Sequence, residues 1–317
     1  MNIQLETTLM TTMNDQKKAK LYALGTIILW ASAFSLTKIA LKHFTGDTLG
    51  LLRYLVASVC LLIIGVFLKI GLPEIKDIPK FFLSGALGFT IYMQVFNQAQ
   101  KTLTSATGSI LIATAPVITA LLAGIFYKEK IKLKGWLAIS VEFIGILILT
   151  LWDGVFTMNK GVFWMLGAAF CISCYNLFQR YYLRKYTALQ ATAYNIFGGT
   201  ILLLFFLPKA GNQVLHAPTY QLPVILFLGI FPSCLAYIWW AKGLSLAVKT
   251  SDVTNFMFVT PFIAALIGFL MIGETPTKAT FLGGTIIILG LLLFQKINST
   301  SGGNKKNETG LSTNENE

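Results

Sequence analysis

Two prolines, Pro116 and Pro261, sit in the middle of apolar runs, and each precedes a glutamate by thirteen residues, Glu129 and Glu274. Proline has no N–H and clashes with the carbonyl four residues back, so these two free the carbonyls of Ile112 and Met257. Inside lipid a freed carbonyl has to face a polar cavity or another helix. The pair therefore reads as two helix kinks lining a solute path; a single proline would read as a packing kink. The two glutamates end their runs and read as hairpin anchors that pair with backbone or with basic neighbours.

A second set of residues could hold a polar solute. Tyr92, Gln94, Asn97, Gln98 and Gln100 crowd one short stretch. Gln94, Asn97, Gln98 and Lys101 share a helical face by i, i+3, i+4, i+7 spacing. An amide offers donors and acceptors together, which suits a zwitterionic or polyhydroxy solute. Tyr92, Gln94 and Asn97 are the candidates for substrate binding, while Gln100 and Lys101 read as a solvated end. Tyr175, Asn176 and Gln179 form a second group, able to face the first across a cavity. Tyr237 and Trp239 form a third, as walls or stacking surfaces. An interfacial aromatic belt is the other reading for the tryptophans.

Charges within apolar runs are costly and need a role. Lys38 and Arg53 lie near the outer ends of their runs, where each could attract a carboxylate or snorkel to the headgroups. Lys38 is taken as a substrate contact. Glu142 lies mid-run and is the candidate proton-coupling residue, the alternative being a structural carboxyl. Cys171-x-x-Cys174 has no second ligand pair or nearby histidine and reads as small buried hydrophobes. The sequence carries no zincin motif, P-loop, dinucleotide fingerprint or intramembrane carboxylate pair. No catalytic residue, metal site or cofactor is expected.

The elements that must position these residues follow from composition. Of 317 residues, 55% are hydrophobic and 12% charged. Mean hydropathy is +0.68. A soluble chain carries about twice that charge, and a single soluble core of this size would leave too much apolar surface exposed. The net charge of +12 fits basic membrane-flanking loops, and no nucleic-acid partner is expected. Residues 1–16 are polar and lack the apolar stretch of a signal peptide.

A helix crossing a hydrocarbon core of about 30 Å needs about 20 apolar residues. Ten such runs occur, near 21–41, 48–69, 78–100, 104–127, 134–152, 161–183, 188–207, 221–241, 251–272 and 278–296. With the N-terminus inside, eighteen basic residues fall on the cytoplasmic side and five on the outer side. The positive-inside rule then places both termini in the cytoplasm, in a multi-pass protein of the bacterial plasma membrane.

A shift of 145 residues aligns Tyr92 with Tyr237, Pro116 with Pro261, Glu129 with Glu274 and Gly145 with Gly290. Each half then holds five helices, and five is odd, so the halves must be inverted. That is the architecture of secondary transporters. The chain divides into a cytoplasmic segment 1–20, a first five-helix repeat 21–152, a second 160–297 and an Asn/Ser/Thr-rich tail 298–317, whose composition predicts disorder.

The run Leu29-Trp30-Ala31-Ser32-Ala33-Phe34 with Lys38, the early Arg53, and the pairs Ala115-Pro116 with Glu129 and Thr260-Pro261 with Glu274 resemble the EamA-type branch of the drug/metabolite transporter superfamily. The resemblance covers residues 20–297. It implies a ten-helix, exporter-like fold that moves small metabolites such as amino acids. The expected fold class is thus all-α and polytopic, with ten transmembrane helices as two inverted five-helix repeats. The expected function is export of a small polar metabolite by alternating access. Its partners are that solute and the lipid bilayer, and a monomer or homodimer suffices. Alternatives are a membrane enzyme acting on lipid-linked substrates and a non-transporting assembly or sensor protein.

Overall fold

The computed structural model describes residues 2–126, 133–152, 159–182, 184–246 and 255–310. Among these every regular element is helical. Chain order gives α1 Asn2–Ala40, α2 Gly46–Phe67, α3 Ile78–Gly85, α4 Tyr92–Gln100, α5 Ser105–Ile112, α6 Ala115–Phe126 and α7 Leu133–Leu151. There follow α8 Lys160–Tyr182, α9 Ala188–Leu203, α10 Leu207–His216, α11 Gln221–Ile230, α12 Ala236–Leu246, α13 Thr260–Ile272 and α14 Lys278–Gly310. A π turn, Ala86–Ile91, joins α3 to α4, and another, Phe231–Leu235, joins α11 to α12.

Six helical stretches among the described residues are long and apolar enough to cross a membrane: Asp15–Ala40, Gly46–Phe67, Ser105–Phe126, Lys160–Gln179, Ala188–His216 and Gln221–Gly243. Thr260–Ile272 and Lys278–Phe294 are shorter apolar helices. Large apolar side chains face outward, including Leu62, Val66 and Phe67 on α2 and Phe262, Leu266 and Phe269 on α13. A soluble surface rarely carries such a belt; lipid chains cover it at no cost.

Two sequence expectations change. The polar residues from 298 to 310 continue α14. Extending a formed helix needs no new nucleus, which composition alone does not register; 311–317 lie outside the described residues. At Pro116 the helix breaks where a kink was expected. One helix stops at Ile112 and restarts at Ala115, placing Pro116 in the first turn, where its missing N–H costs no bond. Likewise a 3₁₀ turn, Asn255–Val259, precedes α13 with Pro261 in its first turn.

Local backbone features recur down the chain. The π turns begin at Ala86 and Phe231, the helices with the prolines at Ala115 and Thr260, and the helices after them at Leu133 and Lys278, each pair 145 residues apart. Packing follows the same pattern. Helix α1 packs mainly on α12 and α13, whereas α8 packs mainly on α4 and α6. Each thus leaves its sequence neighbours and seats in the other half of the chain. The longest seam joins α7 to α14.

That seam is closed by the matched glycines. A Cβ on Gly145 would lie 2.7 Å from the Gly283 carbonyl oxygen, and one on Gly290 would lie 2.8 Å from the Glu142 nitrogen. Small residues let helix backbones meet this closely. Gly85 and Gly199 do the same for α3 and α9, where a Cβ on Gly85 would lie 2.6 Å from the Gly199 nitrogen.

Ion pairs tie the halves together at opposite ends of the bundle. Where α1 finishes, Lys38 pairs with Glu274, and the second Glu274 oxygen accepts from the Ser105 N–H at 2.7 Å. Gly273 makes this contact possible: its φ of 66° gives α13 a left-handed cap, a conformation that glycine adopts without strain, and turns Glu274 back toward α1. At the other end Asp77 accepts from Lys185 at 2.5 Å and from the Tyr186 hydroxyl at 2.9 Å. Lys185 also reaches Glu74 at 2.6 Å. The hydrogen bond from Lys185 holds the Asp77 carboxyl down at about 2, against an ordinary value of 3.8.

Two outcomes follow. Gly290→Ala lowers the thermal midpoint in detergent, because overpacking a tight seam costs about 1–3 kcal/mol. Gly167→Ala, where nothing lies within 4 Å of the added carbon, leaves it unchanged or raises it. Equal midpoints for both would contradict the glycine seam. A depressed carboxylate stabilises above its unfolded value and loses that contribution as pH falls through the folded one. The wild-type midpoint therefore drops between about pH 3.8 and about 2 more steeply than that of Asp77→Asn.

Candidate functional site

The site grows from a defect in the helix ladder. Pro232 lies in the second π turn and cannot donate to Leu228, four residues back. The Ser233 hydroxyl takes over and donates to the Leu228 carbonyl at 2.8 Å. With its proton so committed, the Ser233 oxygen accepts from Arg53 Nη2 at 3.2 Å. Nη1 of the same guanidinium donates to Thr37 at 3.2 Å and reaches the Met93 sulfur at 3.7 Å. Arg53 is 4% exposed, and no carboxylate among the described residues pairs with it. The bare Pro232 carbonyl accepts from Trp30 Nε1 at 3.1 Å.

The first π turn supplies the facing wall. It presents Phe89, fully buried, whose ring meets Tyr54 and Tyr175 at 5.1 Å each and Tyr237 at 5.9 Å, all edge to face. Such pairs contribute about 0.5–1.5 kcal/mol each beyond their burial. Gly88 makes room for the Tyr175 ring; a Cβ there would lie 2.5 Å from Tyr175 Cδ2. Tyr237 also meets Trp30 at 5.5 Å. The phenols of Tyr92 and Tyr237 lie within electrostatic reach of the Arg53 guanidinium. Tyr92 stacks on Phe96 at 5.5 Å.

Of the residues singled out in the sequence, Tyr92, Tyr175 and Tyr237 converge here. Gln94 is half-buried, with its Nε2 lacking a hydrogen-bond partner. The others go elsewhere. Asn97 is a helix clasp: its Nδ2 donates to the Gly46 carbonyl at 2.7 Å, and only its Oδ1 is left over. Asn176 is exposed on α8, one position along the helix from the inward-facing Tyr175. Gln179 bonds Thr192 at 3.3 Å and accepts from Asn195 at 3.4 Å, which joins α8 to α9. Trp239 packs against Gly25 and Tyr22. Lys38 is neutralised by Glu274, so its charge does not face the centre. Pro116 and Pro261 bound the helix breaks described above. Glu142 is 3% exposed, with Oε2 unpartnered; it lies in the α7–α14 seam against Gly290 and not with the central group. Glu129 and Asn255's side chain lie outside the described residues.

The sequence reading under-weighted the centre. Arg53 was one of several intramembrane charges, and Tyr54, Phe89 and Ser233 carried no mark of their own. Pro232-Ser233 in an apolar run is the signal that finds them, because a mid-helix proline followed by a hydroxyl announces an irregular, hydrogen-bonding turn. Gln100, read as solvated, is 2% exposed with both amide atoms unpartnered. It lies over Gly108 beside Met165 and Phe34, so the amide stripe runs deeper than its position near a helix end implied. A separate groove of about 460 Å³, lined by Leu36, Phe227, Ile267 and Leu270 among others, is apolar.

What the arrangement can do chemically is bind. It offers a buried guanidinium, several phenols and aromatic walls at the junction of the two halves. Among the described residues no group of three metal-ligating side chains gathers.

Comparison with known proteins agrees with this reading at the level of family. The model of the EamA-like transporter family matches twice, over residues 17–151 and 159–295. The chain is 37% identical over 272 residues to the uncharacterized transporter YdfC of Bacillus subtilis, covering 85% of this chain and 89% of that one. It is 29% identical over 271 residues to a protein of Streptantibioticus cattleyicolor named a probable terminal-alkyne amino-acid exporter, covering 86% and 91%. A crystallised protein shares its fold with a TM-score of 0.60 at 16% identity, over 87% of this chain and 98% of the other. With its apolar helices and two family matches that together span most of its length, the chain is a polytopic integral membrane protein and belongs to the EamA-like transporter family.

Proposed function

We propose that this protein is a secondary transporter that exports a small polar metabolite, of the amino-acid or a related class, by alternating access. The observation that carries the proposal is the exchange of α1 and α8 between the halves, around a centre built from both π turns. In this reading the chain forms ten transmembrane helices as two inverted five-helix repeats, 21–152 and 160–297, flanked by the segments 1–20 and 298–317. Inverted halves give two conformations of similar energy, one open to each side. The bacterial plasma membrane, with both termini in the cytoplasm, is the location that the basic residues favour. Two inverted repeats let a monomer supply a complete path, and a homodimer is compatible with it.

The two ion-pair clusters support this reading. Lys38–Glu274 and Asp77–Lys185 each bridge the halves, at opposite ends of the bundle, where gates would lie. A rocking motion breaks one while the other holds. The relative named as an amino-acid exporter supports the solute class.

The test is counterflow in proteoliposomes preloaded with unlabelled amino acids. Saturable exchange is expected, reduced about tenfold or more by Tyr237→Ala, which strips the central wall of an aromatic pair and its buried area. Silence across a broad metabolite panel, from protein shown to be folded, would end the transport reading. A second experiment addresses the outer cluster. Lys38→Glu and Glu274→Lys each impair exchange, and the double variant restores it in part. Equal loss in the double would mean that the pair is not a gate contact.

A further inference from the structure

Arg53 is placed as if waiting for an anion. A guanidinium has five N–H donors in a planar fork. Three are accounted for, by Thr37, the Met93 sulfur and Ser233. Nε is buried without a partner, and Nη2 has one proton left after its bond to Ser233. These two nitrogens form one edge of the fork, the edge that takes both oxygens of a carboxylate. The three partners in hand are neutral.

A structural brace would not leave this edge bare. Burying an unpaired cation is among the costliest arrangements in a protein, and the remedy within a chain is a carboxylate on a neighbouring helix. None of the described carboxylates serves: Glu274 is taken by Lys38, Asp77 by Lys185, Asp47 by Lys209, and Glu142 lies in the α7–α14 seam. The second half offers no matching cation either, because the position 145 residues after Arg53 is Gly198. The centre therefore binds charge at one point only and has a polarity of its own.

The surroundings say what carries the anion. Around the guanidinium stand Tyr54, Tyr92 and Tyr237, and next to them Phe89 and Tyr175. Beyond the Phe89 ring, the buried Tyr175 hydroxyl has Thr192 as its polar neighbour. Tyr54, Phe89 and Tyr175 are packed into the core, whereas Tyr92 and Tyr237 are half-buried, and their rings suit an apolar or aromatic body.

Resting on the transport reading above, we infer that Arg53 is the carboxylate-binding residue of the central site, and that the solute is a monocarboxylate with an apolar or aromatic body seated against Tyr92 and Tyr237. The bare edge of the fork takes the carboxylate, the rings take the body, and solute binding supplies the counter-ion that the helices lack. Bound solute then neutralises the cation, and the loaded centre crosses the membrane barrier more readily than the empty one.

The experiment compares acids with their amides. Wild-type protein in proteoliposomes is tested for counterflow of L-phenylalanine and L-leucine, each against its primary amide, which keeps the body and the amine but removes the negative charge. The acids are expected to exchange, and the amides to be roughly ten- to a hundredfold weaker, as loss of a charged hydrogen bond predicts. Arg53→Gln is expected to abolish the discrimination between acid and amide. If that variant does not fold, the wild-type comparison decides alone. Amides exchanging as well as acids would overturn the inference and leave transport standing. So would exchange of solutes without an acidic group when neither acid moves. Silence for every solute tried would remove the transport reading and this inference together.

Discussion

In lipid a helix must satisfy its carbonyls from within the protein, and Pro232 prevents this for Leu228. An unmet buried carbonyl costs about 1–3 kcal/mol. The repair sets the geometry of the centre. Ser233 turns its proton onto Leu228 and its oxygen onto Arg53. Arg53 in turn gathers Thr37 of α1 and Met93 of α4. The exposed Pro232 carbonyl holds Trp30, which fixes α1 against the second half of the chain. One missing N–H thus organises four helices.

The same logic runs through the other irregular positions. The first π turn places Phe89 against Tyr54, Tyr175 and Tyr237, with Gly88 yielding to Tyr175. The break before Pro116 divides the span Ser105–Phe126, and the Ala115 carbonyl there accepts from Ser173 of α8 at 2.9 Å. At the first break Ser173 of the second half donates to Ala115, and at the second π turn Trp30 of the first half donates to Pro232. In lipid, irregular backbone depends on such neighbours.

Much of this was legible in the sequence. Hydropathy marked apolar helices, and Pro116/Pro261 and Gly145/Gly290 marked the 145-residue spacing at which backbone features recur, but not the seam that the two glycines close. Tyr92, Tyr175 and Tyr237 were found because aromatic-polar residues stand out in apolar runs. Which face of a helix points inward was not legible. Asn176 and Tyr175 are adjacent in sequence yet point apart, and Asn97 spends its amide on Gly46. Partner choice was equally hidden: nothing local tells Lys38 that Glu274 will arrive from 236 positions away. Arg53 was visible as a charge in an apolar run, but that no described carboxylate pairs with it is a property of the packed bundle.

The central claim is that the two ends open alternately about the site. Double electron–electron resonance on a cysteine-free background measures it directly, with one spin-label pair at Lys101 and Lys278 and another at Lys69 and Arg184, all exposed and at opposite ends. The account predicts two distance populations for each pair, anticorrelated between the ends and redistributed by a transported solute. A single fixed distance at each end, or ends that widen together, would contradict it.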